Sequence, residues 1–280
     1  MGAVRMGQHG VGLEGDAQGA TPGAQEIAQV VEQVVAQLVA ARQEGGRLGH
    51  AEVAAELLAE AAYRVQSGVA DHFGWFADGP PRHWKSGGAS RDALLTHAPL
   101  PPAGVLHSLA DLARWPFALR GIEAEIALRL GTAVDAETAL RLDAPGLVDL
   151  VDAMAVSIEV VDSRWQEGMG APANAKLADL QSHGALVLGD WVPFRAVDWA
   201  QQCCRARVGA QAEVVCTGTH AMGDPAWLLP HWLRHACGRF GALPAGAVLT
   251  TGTWVGLLWA QAGDAVHVAF DGIGEAHLQL

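Results

Sequence analysis

Two stretches near the start of the chain carry apolar residues at helical spacing. Across residues 24–43, one face of a helix would collect Ile27, Val31, Val34 and Leu38. Apolar residues three or four positions apart are typical of an amphipathic helix, and the glycines that follow at position 45 indicate its end. Residues 51–69 repeat the pattern with many alanines. The sequence therefore predicts two helices in this part of the chain.

From about residue 80 the pattern changes to short apolar runs separated by Gly and Pro. Runs of this length between turn-forming residues are typical of β-strands. They read WKSGG, GVLHSL, IEAEIALRL, AVSIEVVDSRW, GALVLGDWV, AEVVCTGTHAMG, AVLTTGTWVGLLWA and AVHVAFDGI. Helical insertions are expected near residues 135–153 and 225–241. The resulting prediction is an α+β protein with a mainly β body.

Composition supports a folded chain of one large domain or two smaller ones. Half of the 280 residues are apolar and 17% are charged, which is enough apolar surface for a core. We predict a disordered Gly- and Ala-rich tail at residues 1–23, a helical N-terminal region at 24–79 and a β-rich catalytic domain at 80–280.

Charge and cysteine usage limit the possible partners and compartment. The net charge of −12 argues against binding of nucleic acid or an anionic membrane, since both need clustered cations. No apolar run approaches the roughly 20 residues that span a bilayer, and no signal peptide is expected. The four cysteines contain no C-x-x-C pair, which favours free thiols in the cytoplasm. They are Cys203, Cys204, Cys216 and Cys237.

Two acids interrupt the apolar run GIEAEIALRL. On a strand, Glu123 and Glu125 point to the same face, about 6.6 Å apart along the chain. Carboxylates on a sheltered face repel each other unless one takes up a proton or a hard divalent cation lies between them. Glu159, in SIEVVDSRW, offers a third acid, and Arg164 follows it as a residue that could orient one. From spacing alone, a solvated edge strand remains an equal alternative.

Taken in order, the motifs resemble the fumarylacetoacetate hydrolase superfamily, in its hydratase/decarboxylase branch. The matching segments span roughly residues 48–280 and read AAYRVQSGVA, HWK, IEAEIAL, SIEVVDSRW, LADLQSHGALVLG, AEVVCTGTHAMGDPAWLL, LPAGAVLTTGTWVG and AGDAVHVAFDGIG. The resemblance implies a rolled β-fold, a 2-oxo acid substrate and an Mg²⁺ or Mn²⁺ ion. The implied metal ligands are Glu123, Glu125 and Glu159.

The same resemblance implies roles for further residues. Lys85 matches the lysine of the G-x-K-x-G-L-T motif and would hold the substrate carboxylate or move protons. Asp179 and Ser182 match the A-D-N-x-S segment and would act in catalysis, by shaping the pocket or positioning water. Substrate contacts are expected from Lys85, Arg164, Thr251, Gly252 and Thr253. The alternatives without function are a solvated loop lysine and an ordinary tight turn.

Three departures from the family pattern bear on the chemistry. Residues 86–88 read Ser-Gly-Gly where typical hydratases have Gly-Leu-Thr, and Leu180 replaces the Asn of A-D-N-x-S. Pro102 stands where typical hydratases carry an acid/base Asp, and proline cannot transfer a proton. Decarboxylases of the branch lack this Asp as well. The residues that could replace it as base are His83, His107 and His183.

Other motifs in the sequence indicate no competing chemistry. The G-x-G-x-x-G match at residues 10–15 follows no strand, so it does not support dinucleotide binding. His231 and His235 have the spacing of a helical zinc pair, but H-E-x-x-H is absent.

These observations lead to an expected function with ranked alternatives. The expectation is a metal-dependent lyase, a hydratase of a 2-oxo or 2-hydroxydienoic acid in the catabolism of aromatic or related compounds. The alternatives are a 4-oxalocrotonate-type decarboxylase, then a C–C bond hydrolase of a 2-oxo or diketo acid, then a non-catalytic partner subunit. A homo-oligomer is expected, able to associate with a related pathway enzyme.

Overall fold

The computed structural model describes residues 22–45, 47, 49–54, 57–142 and 148–280. The predicted tail and its glycine motif lie outside these residues, except that Pro22 and Gly23 form the start of the first helix. The α-helices in the described part are α1 (Pro22–Glu44), α2 (Ala59–Phe73), α3 (Ala136–Arg141), α4 (Ala173–Ala178) and α5 (Leu229–Phe240).

The described chain after residue 80 contains sixteen strands, in the region where the short apolar runs predicted them. They are β1 (His83–Gly87), β2 (Thr96–Pro99), β3 (Val105–His107), β4 (Ala110–Asp111), β5 (Gly121–Leu130), β6 (Val134–Asp135), β7 (Val151–Val161), β8 (His183–Leu188), β9 (Val192–Pro193), β10 (Cys203–Val208), β11 (Val214–Thr217), β12 (Ala242–Leu243), β13 (Val248–Thr250), β14 (Leu258–Trp259), β15 (Ala265–Phe270) and β16 (Gly274–Gln279).

The strands form two main sheets that pack against each other. The larger sheet has the order β2-β1-β13-β5-β7-β8-β3, with β14 also pairing with β5 and β9 with β7. The smaller sheet has the order β11-β10-β15-β16-β4, and β12 pairs separately with β6. Strands β15 and β16 pack on β7, so the main apolar core lies between the two sheets. This curled, mainly β body with helices before it confirms the predicted α+β class.

The N-terminal helices build a second core against the β-body. Helix α1 packs on α2, and α2 packs on α4. Val31, Val34 and Leu38 of the predicted helix face are buried there, whereas Ile27 is 45% exposed. Trp165 joins this cluster from the segment that follows β7. The helices contact the sheet that carries the acids at β2, through α4 and through Gln66 of α2, which donates to the carbonyl of His97.

Two helix boundaries differ from those predicted. Residues 51–54 form a 3₁₀ turn instead of the start of α2. The Gly49 N–H donates to the carbonyl of Arg164, and the Gly49 carbonyl accepts from Gln166, so pairing with a distant segment overrides the local helical pattern. The predicted insertion at 135–153 holds α3, but β7 already begins at Val151. The helix expected near 225–241 is present as a 3₁₀ turn followed by α5.

None of the described helices combines the length and the apolar character that crossing a bilayer requires.

Candidate metal and substrate site

Strands β5 and β7 bring the three predicted acids together. Glu123 and Glu125 alternate with buried apolar residues on β5, so both point to the same face. In the antiparallel register Glu159 of β7 lies directly opposite Glu123. One carboxylate oxygen from each acid lies within 4.8 Å of the others. The edge-strand alternative is therefore wrong, since β5 lies between β13 and β7 inside the sheet.

Burial disfavours the ionised form of the two β5 acids unless a positive charge lies beside them. Burial, opposed by Lys85 and helped by the charges of Glu159 and Glu125, raises the pKa of Glu123 to about 8. Burial and then the charge of Glu159 raise the pKa of Glu125 to about 7. Each group would hold a proton near neutral pH unless positive charge were added. This is the electrostatic condition of a cation site.

Lys85 and His183 keep the third acid ionised. The Lys85 ammonium on β1 donates to Glu159 Oε1 at 2.6 Å, and His183 Nδ1 lies 3.0 Å from the same oxygen. Burial would raise the pKa of Glu159, but these two partners outweigh it and hold the pKa below its usual range. In return the three acids raise the pKa of Lys85 against the effect of burial. Glu159 is therefore a carboxylate and Lys85 a cation.

The donor set fits a hard divalent ion. Glu159 Oε2 is buried and has no hydrogen-bond partner among the described residues. A buried carboxylate oxygen without a hydrogen-bond partner destabilises the fold unless an ion, a water molecule or a ligand binds it. Carboxylate oxygens at this separation are ligands that Mg²⁺ or Mn²⁺ prefers. The residues that would hold such an ion are Glu123, Glu125 and Glu159.

Glu123 and Glu125 line a small cavity of about 230 Å³. Its wall includes Lys85 and residues 86–88, Gln181, residues 221–222 and the turn Thr251-Gly252-Thr253. Gly252 has a φ of +97°, which a residue with a side chain rarely adopts, and its N–H donates to Glu125 Oε2 at 3.0 Å. The turn therefore brings backbone donors to the cavity, as expected for this segment.

The threonine hydroxyls of the same turn are used within the protein. Thr251 Oγ1 donates to the carbonyl of Ile126, and Thr253 Oγ1 donates to that of Gly256. Both residues line the cavity, but their hydroxyls stabilise the turn. Their backbone groups are therefore what they offer to a ligand.

The predicted roles of Asp179 and Arg164 need correction. Asp179 is fully buried, and its carboxylate accepts from Arg42 at 3.0 Å and from the Arg164 Nε and backbone N–H at 2.7 and 3.0 Å. Neither Asp179 nor Arg164 lines the cavity. A carboxylate paired with two arginines is unsuited to proton transfer, and the Arg164 guanidinium is unavailable to substrate. Both residues instead hold the chain that leads to Ser182.

A left-handed turn links this ion-pair network to the cavity. Leu180, Gln181 and Ser182 have φ values of +52°, +56° and +59°, a region that residues with a Cβ rarely occupy. The Ser182 N–H donates to the Asp179 carbonyl, which closes the turn. The Ser182 hydroxyl is buried, without a hydrogen-bond partner in the described chain, and it lies outside the cavity wall.

The turn also places Gln181, a residue that the sequence did not single out. Its carbonyl accepts from Lys85 Nζ at 3.2 Å, and its side-chain amide bonds to Thr96. A backbone carbonyl carries no sequence signature, so only the neighbouring motif residues could have indicated this position.

Of the three histidines considered as replacement base, His183 is brought to the acids. His83 lies with Pro102 at a different surface depression, and His107 is exposed on β3. The His183 Nε2 is buried and faces Gly104, where an added Cβ would lie 3.6 Å away. Burial lowers the pKa of His183, although Glu159 opposes the shift, so a neutral imidazole is favoured.

Comparison with known proteins agrees with this geometry. The family model described as fumarylacetoacetate (FAA) hydrolase C-terminal matches residues 105–280. The chain belongs to the fumarylacetoacetate hydrolase family. No curated protein matches the sequence. The predicted superfamily is confirmed, and the matched range contains β5 and β7 with the three acids.

Solved structures of one enzyme share the fold over nearly the whole chain. The 4-oxalocrotonate decarboxylase from Pseudomonas putida G7, complexed with magnesium and adipate, has a TM-score of 0.73 at 18% identity. The same enzyme complexed with calcium and acetate has a TM-score of 0.71 at 18% identity. In each case the match covers 93% of this chain and 99% of the other. The likeness extends the family fold to the N-terminal helices.

Proposed function

We propose that this chain is a divalent-metal-dependent lyase that acts on a small 2-oxo or 2-hydroxydienoic acid. The observation that carries the proposal is the group of three acids at the cavity, two buried and one half-buried, with Lys85 paired to Glu159. The cavity volume of about 230 Å³ is below the range of drug-sized pockets, which suits a small acid. The solved decarboxylase of the same fold holds magnesium and a dicarboxylic acid, adipate, which supports both parts of the proposal.

A bound Mg²⁺ or Mn²⁺ would supply a Lewis acid that stabilises negative charge on the substrate's 2-oxygen. Glu123, Glu125 and Glu159 would hold it and need to be ionised to do so. Lys85, released from Glu159 by the added charge, would bind the substrate carboxylate and return a proton to carbon. The Gly252 N–H keeps Glu125 oriented toward the cavity.

Within this class the geometry favours decarboxylation. Hydration needs a further group to deliver water and exchange its proton, whereas loss of CO₂ needs only an electron sink and one proton donor. Among the described residues that line the cavity, the acid/base groups are Glu123, Glu125 and Lys85. Pro102, at the position of the expected Asp, lies at a different depression.

Hydration, the expectation from the sequence, remains the second candidate because of His183. Its imidazole contacts Glu159 and its Nε2 faces the loop that carries the expected Asp in hydratases. A neutral imidazole at this position could accept a proton from water.

The product profile separates the two reactions. We would offer 2-hydroxypenta-2,4-dienoate and its 5-carboxylated homologue separately, with Mg²⁺ or Mn²⁺, and analyse products by mass spectrometry. Release of CO₂ from the second compound is expected. Gain of one water by the first would instead establish a hydratase, and formation of two acids from a diketo acid would establish a hydrolase.

A matched pair of variants tests the metal site in the same assay. Glu125→Gln should abolish turnover and weaken Mg²⁺ binding while the chain stays folded, because an amide oxygen carries no charge. Glu137→Gln removes an exposed acid of α3 and should change neither property. Full activity of Glu125→Gln would refute the assignment of the acids.

We further propose a homo-oligomer in the cytoplasm that is able to associate with a related pathway enzyme. The four unpaired cysteines support a reducing compartment. Light scattering on the purified chain, alone and with a candidate partner, tests the assembly.

A further inference from the structure

The outer face of the smaller sheet carries a cluster of two histidines and one glutamate away from the acid site. Side chains alternate along β15 and β16, with Val266 and Val268 directed into the core. The residues between them point outward, and His267 on β15 lies directly opposite His277 on β16. Glu275 lies two residues before His277 and so shares its face. Sheet register alone therefore places the three side chains together.

The side chains of this His–Glu cluster converge. The imidazoles of His267 and His277 are stacked, with ring centroids 4.3 Å apart and planes within 7° of parallel. His267 Nε2 lies 3.0 Å from one oxygen of Glu275, and His277 Nε2 lies 3.5 Å from the other. One ligand atom from each residue lies within 4.8 Å of the other two. Two imidazole nitrogens and a carboxylate thus lie close together, and the stacked rings need to rotate for both nitrogens to point at one ion.

We propose that His267, Glu275 and His277 form a second metal site, which takes a borderline divalent ion of the Zn²⁺ class. Ligand atoms around a tetrahedral zinc are spaced at roughly 3.3 Å, given metal–ligand distances near 2.0–2.1 Å. Each imidazole Nε2 lies near this distance from a different oxygen of Glu275, His267 at 3.0 Å from Oε2 and His277 at 3.5 Å from Oε1. Imidazole selects Zn²⁺, Cu²⁺ or Ni²⁺ over Mg²⁺, whereas the all-carboxylate site favours the hard ions. The His–Glu cluster would therefore bind Zn²⁺-like ions, while the three acids would bind Mg²⁺ or Mn²⁺.

The surroundings allow a cation at this position. Arg207 of β10 lies opposite His267 in the sheet and is the nearest positive residue by register. Its guanidinium is paired with Glu213 at 3.2 Å, which offsets its charge. The side chains of His267 and His277 are 37% and 36% exposed, so an ion can enter from solvent and keep water on its open positions.

Zinc titration of the full chain tests the site. Isothermal titration with ZnCl₂ in excess Mg²⁺ would use Glu125→Gln as parent, to weaken binding at the acid site. The parent should bind one equivalent of zinc through the cluster. Adding His267→Ala or His277→Ala should weaken that binding by at least on the order of tenfold, because each removes a direct ligand. Adding His50→Ala, an exposed histidine outside the cluster, should leave it unchanged.

X-ray absorption of the zinc-loaded parent provides an independent readout. Two imidazole ligands per zinc are expected, and none after both histidines are replaced. If Glu125→Gln does not fold, the histidine variants are made in the wild-type chain instead. Each variant should then bind one equivalent of zinc fewer than the wild type. The proposal would be overturned if zinc affinity and stoichiometry were the same with and without His267 and His277. That result would not bear on the proposed lyase activity.

Discussion

Lys85 is the cation that allows Glu159 to stay ionised inside the sheet. Its ammonium is 2.6 Å from Glu159 and its side chain is only 12% exposed. Removal of one partner from a buried ion pair leaves an uncompensated charge, which costs far more than loss of a surface pair. A bound divalent ion would supply the missing charge from the other side of the same carboxylates.

Lys85→Ala should therefore destabilise the metal-free chain by about 3 kcal/mol and lower turnover, while metal binding persists. Added Mg²⁺ should restore most of the stability but not the turnover, because the proton donor is gone. Urea unfolding with EDTA and with Mg²⁺ measures both states. Lys176→Ala, at the other lysine of the sequence, is the control and should change little. Loss of Mg²⁺ binding in Lys85→Ala would show that the lysine has another role.

The raised pKa values of Glu123 and Glu125 predict proton release on metal binding. Their folded pKa values of about 8 and about 7 lie above the unfolded value of 4.5. The metal-free folded chain thus binds more protons than the unfolded chain, so its stability falls as pH rises from about 4.5 to 8. Mg²⁺ needs both acids ionised, and at pH 6 its binding should release about two protons.

Calorimetry in buffers of different ionisation enthalpy counts these protons. The number should fall toward zero by about pH 9, where both acids have already lost their protons. The apparent Mg²⁺ affinity should rise over the same interval. Glu125→Gln should release one proton fewer at pH 6. A proton count that does not change with pH would contradict the raised pKa values.

At the scale of elements, the sequence predicted that the two acids of β5 share a face, but not the register in which β5 pairs with β7. The alternation in β5 indicated that Glu123 and Glu125 share a face. That Glu159 lies opposite Glu123 depends on how β7 pairs with β5, and the segment between the strands has no pattern that sets this register. The sequence offered Glu159 as a third acid from its apolar run, and the family resemblance implied that it shares a metal with Glu123 and Glu125.

Other misassignments came from contacts between distant segments. Asp179 was taken as catalytic from its motif, but two arginines from α1 and from the end of β7 surround it. The 3₁₀ turn at residues 51–54 likewise follows from pairing with Arg164 and Gln166. The contacts of Arg42 with Asp179 and of Gly49 with Arg164 join residues more than 100 positions apart, so local spacing does not report them.

The ion pairs of Asp179 with Arg42 and Arg164 predict that a substitution outside the cavity will strongly reduce the stability of the fold. Burial, and then the nearby Arg164, lower the pKa of Arg42 to about 9, while Asp179 opposes the shift. Asp179→Asn would leave the buried Arg164 and the half-buried Arg42 facing each other without a counter-charge, and release the turn that holds Gln181. We expect a loss of about 3–5 kcal/mol of stability, the usual cost of breaking a buried ion pair.

A second Asp–Arg pair provides the matched control. Asp152 and Arg129 form two hydrogen bonds, but their side chains are 45% and 33% exposed. Asp152→Asn should cost less than about 1 kcal/mol, as for other exposed pairs. Chemical denaturation of both variants measures the difference. Equal losses would show that the Asp179 network does not hold the turn.

At the scale of the whole molecule, the buried His97 and the half-buried His235 join the helices to the β-body. His235 of α5 packs 4.4 Å from the Tyr63 ring of α2 and 4.7 Å from the His97 ring of β2, measured between centroids. Burial, and then the neighbouring His235 and His231, lower the pKa of His97 to about 3. Burial, and then Arg239, lower the pKa of His235 to about 4. Both imidazoles are neutral in the folded chain near neutral pH.

This contact predicts acid sensitivity of the fold. The unfolded pKa of histidine is about 6.5. Between that value and pH 3–4 the unfolded chain binds more protons than the folded chain, so stability falls as pH falls. The stabilising effect is complete above pH 6.5 and is lost progressively below it. Protonation of Glu123 and Glu125 acts in the opposite direction in the metal-free chain, so the comparison needs a variant that alters only the histidine.

His235→Leu should therefore flatten the acid side of the stability curve, because it removes one of the two groups that must charge on unfolding. Urea unfolding of both chains at intervals from pH 4 to 7, with EDTA present, measures the slope. The wild type should lose stability faster than His235→Leu below pH 6.5, even if the variant starts lower at pH 7 from imperfect packing. Parallel curves would show that His235 titrates normally, and that the contact between α2, β2 and α5 is open to water.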